Sequence, residues 1–309
     1  MAERAEIREV GPRDGLQLVG TILSTERKLE WCARTAAAGV RRIEVTSFVP
    51  PSVVPQFADA AEVARGTLAM GGFDVAALVP NLRGAENAIA AGVHTVNFVT
   101  SASEAHNLAN VRRTRAQSLE DFARIVAHRD AVAPGRVRIG GCVATAFGCS
   151  IAGAVPEADA YGMAEAYVAA GADELVVADT VGVANPAQVR RLLRRMVAIA
   201  DGRPVICHFH DTRGLGLANV VAALDAGVRI FDAALAGLGG CPFAPGASGN
   251  IDTEDTAYLL EAEGFATGID IEALIALRRE VEGWLPGERF AGAIARAGVP
   301  SWFRPAAAI

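Results

Sequence analysis

Eight short apolar runs, each followed by a longer stretch of helical character, constrain this chain more than any other feature. The runs are Ile7–Val10, Arg42–Thr46, Asp74–Val79, Thr95–Thr100, Val137–Thr145, Glu174–Ala178, Pro204–His210 and Arg229–Ala236. Several are dense in Val and Ile, as parallel strands buried on both faces require. Ser24 is placed to cap a helix through Ala37, with Gly39 as its stop signal. Further helical stretches lie near Ser52–Ala69, Ala85–Ala91, Ser118–Val132, Pro156–Ala169, Pro186–Ala200, Leu217–Asp225 and Thr253–Ala262. Pro156 and Pro186 fall where a first-turn proline is tolerated. Repeated strand–helix alternation builds right-handed βαβ units, and eight of them predict a closed (β/α)8 TIM barrel from about residue 4 to 268. A doubly wound open sheet is the competing arrangement, but Gly11, Gly15 and Gly20 lack the spacing of a dinucleotide-binding loop. Residues 269–309 supply one more helix and the tail SWFRPAAAI, a short C-terminal extension placed over part of the barrel or at a subunit contact. Residues 1–309 thus read as one domain.

Totals narrow the function. Hydrophobic residues make up 51% of the 309, enough for a sizeable core, whereas aromatics are only 6%, so Ala, Val, Leu and Gly must do most of the packing. A formal charge of −6 argues against a nucleic-acid partner, which would want a basic face. Five cysteines with no CxxC pair fit neither a zinc ribbon nor a disulfide framework, and point to a reducing compartment. The start MAERAEIREVG has no apolar signal region, and no run is long enough to span a bilayer. A soluble, cytoplasmic protein without membrane contact is expected.

Barrel active sites lie at the carboxyl ends of the strands. Those ends here carry Glu9-Val10-Gly11-Pro12-Arg13-Asp14-Gly15, Glu44-Val45-Thr46-Ser47, Asp179-Thr180, His208-Phe209-His210-Asp211 and the loop GLGGCPFAPGASGN at 237–250. Residues two apart on a strand share a face, so His208 and His210 converge on one spot, either as ligands of a divalent metal or as hydrogen-bonded histidines. Asp14 offers a hard oxygen ligand or simply shapes the turn before Gly15. Arg13 is a surface ion-pair partner or a fixed cation for charge developing on a carbonyl oxygen. Glu44 and Asp179 are surface acids or candidates for proton transfer. Cys241 sits among five glycines, in a loop able to close over substrate and bring a thiol to a carbanion. Asn250 is a left-handed turn residue or an amide ligand. The other cysteines read as core. Arg112, Arg113 and Arg115 form a solvated loop or a phosphate-binding one.

The segments EVGPRDGLQ (9–17), IEVTSF (43–48), ADTVGV (178–183), HFHDT (208–212) and GLGGCPFAPGASGNIDTED (237–255) together resemble the hydroxymethylglutaryl-CoA lyase family of barrel metallolyases. The similarity runs from about residue 5 to 270, and the Cys loop is its most specific part. The resemblance implies Asp14, His208, His210 and Asn250 as ligands of Mg²⁺ or Mn²⁺, and Arg13 as the group stabilising an enolate oxygen. It further implies Cys241 as a proton-transferring lid residue, Glu44 and Asp179 as active-site acids, and Ser103 and Thr180 along the substrate wall. His208 is included among the catalytic candidates. The expected reaction is cleavage of a 3-hydroxyacyl-CoA to acetyl-CoA and acetoacetate, by a homo-oligomer. Three departures touch the substrate wall. Leu18-Val19-Gly20 replaces the family's usual Asn-Glu-Lys, Gly140-Gly141-Cys142 an Arg-Gly-Tyr run, and Arg213-Gly214-Leu215 a Tyr-Gly-Gln run. A tyrosine and a cation near the acyl group are therefore expected to be missing, and citramalyl-CoA or another branched 3-hydroxyacyl-CoA stands as an alternative substrate. A condensing acyltransferase of the isopropylmalate or homocitrate synthase type is the rival reaction. A CoA- or metal-binding barrel without turnover is the rival outside catalysis.

Overall fold

The computed structural model describes residues 2–240 and 249–306. Eight strands, β1 (Glu6–Glu9), β2 (Arg42–Ser47), β3 (Asp74–Val79), β4 (Thr95–Ser101), β5 (Arg138–Ala144), β6 (Glu174–Asp179), β7 (Val205–Phe209) and β8 (Ile230–Ala233), pair in chain order and close β8 onto β1, all parallel. This is the expected (β/α)8 barrel. Around it lie α1 (Thr25–Ala37), α2 (Ala60–Met70), α3 (Leu82–Ala91), α4 (Glu104–Val111), α5 (Arg115–Val132), α6 (Glu157–Ala169), α7 (Pro186–Ala200), α8 (Gly216–Asp225) and α9 (Thr253–Ala262), followed by α10 (Ile271–Trp284) and the short α11 (Ile294–Ala297).

Capping side chains set most helix starts. Ser24, Asn81, Asn185 and Asp252 each accept a backbone N–H of the first turn, and Thr114 and Gln117 form a reciprocal box at α5. Each such cap is worth about 1 kcal/mol. Most element bounds shift by a few residues from the sequence reading, and two differences have a clear physical reason. The stretch from Ser52 breaks into a 3₁₀ turn at Pro55–Phe57 before α2 begins, because Pro55 has no N–H and restricts the residue before it. The eight-residue α4, capped by Ser103, was hidden between β4 and the arginine run, since so short a helix shows little periodicity.

The apolar core lies mainly between the sheet and the helices, with Trp31, Phe122 and Tyr167 fully buried there. The barrel lumen is different. Its apolar part is a small cluster of Cys142, Val176, Ala178 and Ile206, and the rest is charged or polar: Arg8, Glu44, Asn97, Glu174, His208 and Asp232 are all buried. Side chains alternate along each strand, so every polar lumen residue is offset by an apolar neighbour facing the helices. Among the described residues no helix is long and apolar enough to cross a membrane.

Candidate active site

After β1 the chain makes one π-helical turn, Gly11–Gly15, in which the N–H groups of Arg13, Asp14 and Gly15 all point at the carbonyl of Val10, at 3.0, 2.7 and 3.2 Å. Gly11 is required because a Cβ there would lie 2.4 Å from Glu9 Oε1 and 2.7 Å from the Trp31 ring. The turn aims Arg13 and Asp14 back over the barrel mouth. Arg13 Nη1 donates to Asp14 Oδ1 at 2.7 Å and its Nε donates to Glu44 Oε2. Glu44 Oε1 accepts from Asn97 Nδ2 at 2.6 Å. Arg13 Nη2 has no hydrogen-bond partner among the described residues.

Across the mouth, His208 and His210 leave β7 on one face, with their Nε2 atoms 3.1 Å apart. His208 Nδ1 is 3.1 Å from Asp232 Oδ2, an arrangement that places a ring proton on Nδ1 and, in the neutral ring, leaves Nε2 a lone pair. Asn250 pairs with His210 by a backbone bridge, and its Nδ2 donates to Asp14 Oδ2 at 2.7 Å and to Leu238 O at 2.8 Å. Gly239, at φ 112°, allows this: a Cβ there would meet Asn250 Nδ2 at 2.5 Å and Asp14 Oδ2 at 3.1 Å. One carboxylate oxygen of Asp14 and one nitrogen from each imidazole lie within 4.8 Å of one another.

A divalent cation fits these residues. Asn250 Oδ1 is buried and has no hydrogen-bond partner among the described residues, which is costly unless another partner comes. Two imidazole nitrogens, a carboxylate and an amide oxygen form a mixed N/O donor set. Burial alone would raise the Asp14 carboxyl, but the Arg13 guanidinium, helped by the Asn250 N–H, outweighs it and holds it below its ordinary range. Burial and the neighbouring His208 push His210 down to about 4, so it stays a neutral donor.

The cavity above the lumen has a volume of about 270 Å³, and Arg13, Asp14, Thr180, His208, His210 and Gly240 all reach it. Gly240 immediately precedes Cys241, which lies outside the described residues. Asp179 does not line this cavity. Its oxygens accept the N–H groups of Val183 and Ala184 at 2.9 and 3.0 Å, holding the turn that carries Thr180, and burial raises its carboxyl to about 6. Thr180 Oγ1 accepts from Thr145 N–H at 2.8 Å. Ser103 Oγ accepts the N–H of His106 as the cap of α4, and Ser103 likewise is not in the cavity wall.

The absence of a cationic side chain at 140, expected near the acyl group, has a counterpart on another strand. No side chain stands at Gly140, where a Cβ would be 2.4 Å from Asn97 Oδ1, but Arg8 reaches the same place from β1. Its Nη1 lies 3.3 Å from that oxygen and 3.4 Å from Glu174 Oε1. Arg8, Asn97 and Asp232 were not singled out in the sequence; the signal available was a charged or amide residue inside an apolar strand run. Of the three arginines after β4, Arg113 pairs with Asp121, and Arg115 with Glu104 and Asp159. Arg112 is exposed, and its side chain makes no hydrogen bond or ion pair among the described residues.

Comparison with known proteins places this geometry. The family model described as HMGL-like matches residues 4–281. The hydroxymethylglutaryl-CoA lyase of Bacillus subtilis is 40% identical over 280 residues, covering 91% of this chain and 93% of the relative. An (R)-citramalyl-CoA lyase of Chloroflexus aurantiacus is 43% identical over 286 residues, covering 89% of each. The structure of an HMG-CoA lyase from Acinetobacter baumannii in complex with coenzyme A and 3-methylmalate superposes with a TM-score of 0.91 at 42% identity, covering 98% of this chain and 97% of that one. With the family model spanning most of its length and these relatives matching it almost end to end, the chain belongs to the HMGL-like family.

Proposed function

We propose that this chain is a divalent-metal-dependent carbon–carbon lyase that cleaves a 3-hydroxyacyl-CoA, hydroxymethylglutaryl-CoA foremost, to acetyl-CoA and acetoacetate. The observation that carries this reading is the convergence of Asp14, His208, His210 and Asn250 at the barrel mouth, with Arg13 alongside. These four residues would hold Mg²⁺ or Mn²⁺. The cation, when bound, polarises substrate oxygens and makes the 3-hydroxyl easier to deprotonate.

The residues divide the remaining work. Asp14, Glu44 or His208 takes the hydroxyl proton. The O–H electron pair forms the new ketone as the C2–C3 bond breaks, and the pair from that bond passes into a thioester enolate. Arg13, fixed by Glu44 and Asp14, turns Nη2 to the enolate oxygen, where a preorganised donor acts best because little water competes. Cys241 supplies the proton that converts C2 to the methyl group of acetyl-CoA. Thr180 contacts the acyl chain, Asp179 holds the Thr180 turn, and Ser103 holds α4 at the wall's edge. Arg112 is the cation for the CoA phosphates.

Citramalyl-CoA is the second substrate reading, favoured by the small Cys142 in the lumen and by the 43% identity to the citramalyl-CoA lyase. The deciding experiment assays both thioesters, and acetyl-CoA with 2-oxo acids, in the presence of Mg²⁺ or Mn²⁺ and after chelation. Cleavage that needs metal supports the lyase. Release of CoA from acetyl-CoA and a 2-oxo acid, with no cleavage of either thioester, rejects it in favour of a condensing enzyme. Localisation in the cytoplasm and assembly into a homo-oligomer complete the reading, and fractionation with light scattering tests both.

A further inference from the structure

We infer that Arg8 is a positioning residue for the candidate metal centre, acting through Asp232 on His208. The inference rests on the metal-dependent reading above and adds residues which that reading does not use. Arg8 Nε donates to Asp232 Oδ1 at 2.7 Å and Nη2 donates to Oδ2 at 2.9 Å, a two-pronged clamp. Oδ2 is the same atom that lies 3.1 Å from His208 Nδ1. The clamp fixes the carboxylate plane, and the carboxylate fixes both the tautomer and the ring angle of His208. A carboxylate or similar partner behind a ligating imidazole sets ligand orientation and basicity. All three residues are buried, at 3%, 2% and 8% exposure.

The arrangement extends into a circuit. Arg8 Nη1 lies 3.3 Å from Asn97 Oδ1, Asn97 Nδ2 donates to Glu44 Oε1 at 2.6 Å, and Glu44 accepts from Arg13, which holds Asp14 at 2.7 Å. Asp14 and His208, ligand candidates carried by the β1 exit and by β7, are therefore joined through the lumen floor as well as at the centre itself. A buried ion pair that only filled the lumen would not have to share an oxygen with a ligating histidine. Only Gly at 140 leaves the room for it, since a Cβ there would strike Asn97 Oδ1 at 2.4 Å.

The test compares the wild-type protein with Arg8→Lys, Asp232→Asn and the double variant. Lysine keeps the charge but cannot fork onto both oxygens. Asn at 232 removes the charge and one of the two acceptor oxygens. Mn²⁺ affinity is read by titration calorimetry, kcat and KM on the acyl-CoA substrate, and the His208 tautomer by nitrogen NMR of the metal-free protein in mildly alkaline buffer. Folded single variants are expected to lose Mn²⁺ affinity by about 10- to 100-fold. Their KM for the thioester is expected to stay within about threefold at saturating Mn²⁺, and the Nδ1–H signal of His208 to give way to a tautomer mixture. The double variant is expected to bind Mn²⁺ no worse than Asp232→Asn alone. Unchanged Mn²⁺ affinity and tautomer in Arg8→Lys, or losses that add in the double variant, would overturn the inference. Should Arg8→Lys not fold, Arg8→Gln, which retains a donor without charge, is judged by the same outcomes. Failure of the wild-type protein itself to bind Mn²⁺ removes the metal reading instead, while the tautomer measurement still decides the link from Arg8 to His208.

Discussion

Glu9 should make this barrel less stable as pH rises through neutrality, and Glu9→Gln should abolish that part of the dependence. The side chain is fully buried beneath the helix layer. Its Oε1 accepts the N–H of Gly11 at 2.7 Å and of Leu235 at 2.9 Å, and Oε2 accepts from Thr253 Oγ1 at 2.7 Å. These bonds lower its pKa, but burial outweighs them and raises the carboxyl from 4.5 to about 7. The folded state therefore holds the proton more tightly than the unfolded chain does. The resulting stability is fully present below about pH 4.5 and is lost as pH climbs through about 7. At 1.36 kcal/mol for each pH unit of separation, the swing is on the order of 3 kcal/mol, an upper bound. Gln keeps an oxygen for Gly11 and Leu235 and an NH₂ for Thr253 Oγ1, so it mimics the protonated acid. Urea denaturation from pH 4.5 to 8.5 should show the stability of the variant minus that of wild type growing toward alkaline pH. Taking the difference leaves Glu9 together with its charge coupling to the neighbouring Asp252 and Glu254, whose carboxyls are also raised, chiefly by burial. A difference that stays flat across this range would refute the placement of a titrating carboxyl under the catalytic turn.

Four further outcomes follow from the site. Arg13→Ala should lower kcat by about 10²- to 10³-fold with the fold retained, since it removes a fixed donor to developing charge; steady-state kinetics with circular dichroism checks this, and normal turnover would end the assigned role. Gly239→Ala should weaken Mn²⁺ binding without unfolding the barrel, because its Cβ would sit 2.5 Å from Asn250 Nδ2 at a φ of 112°; unaltered calorimetric affinity would refute it. Cys241→Ser should slow cleavage while leaving bound metal, measured by atomic emission, nearly unchanged. Cys142→Tyr should narrow the lumen and select against the bulkier of two 3-hydroxyacyl-CoA thioesters, read as a change in the ratio of their kcat/KM values.

What could be read along the chain and what could not follow a physical divide. Asp14, His208, His210 and Asn250 stand where strands give way to loops, and in a barrel those ends all face one mouth, so topology alone brings them within reach of each other. Arg8 and Asp232 lie inside strands, where a charge in an apolar run has no meaning until the partner strand is known; the register that sets them side by side exists only after β8 closes onto β1. Asp179 shows a second, structural use of a strand-end acid. Its position at a strand end suggests chemistry, and its oxygens also accept the Val183 and Ala184 N–H groups, local bonds that the sequence does not announce. The same reasoning applies to the floor cation. A residue-by-residue match at 140 predicts its loss, but a closed barrel lets β1 deliver a guanidinium to the place that β5 leaves empty, as Arg8 does. Lumen chemistry in this fold is therefore a property of layers that cut across all eight strands, and a substitution on one strand has meaning only beside the residues at the same height on the others.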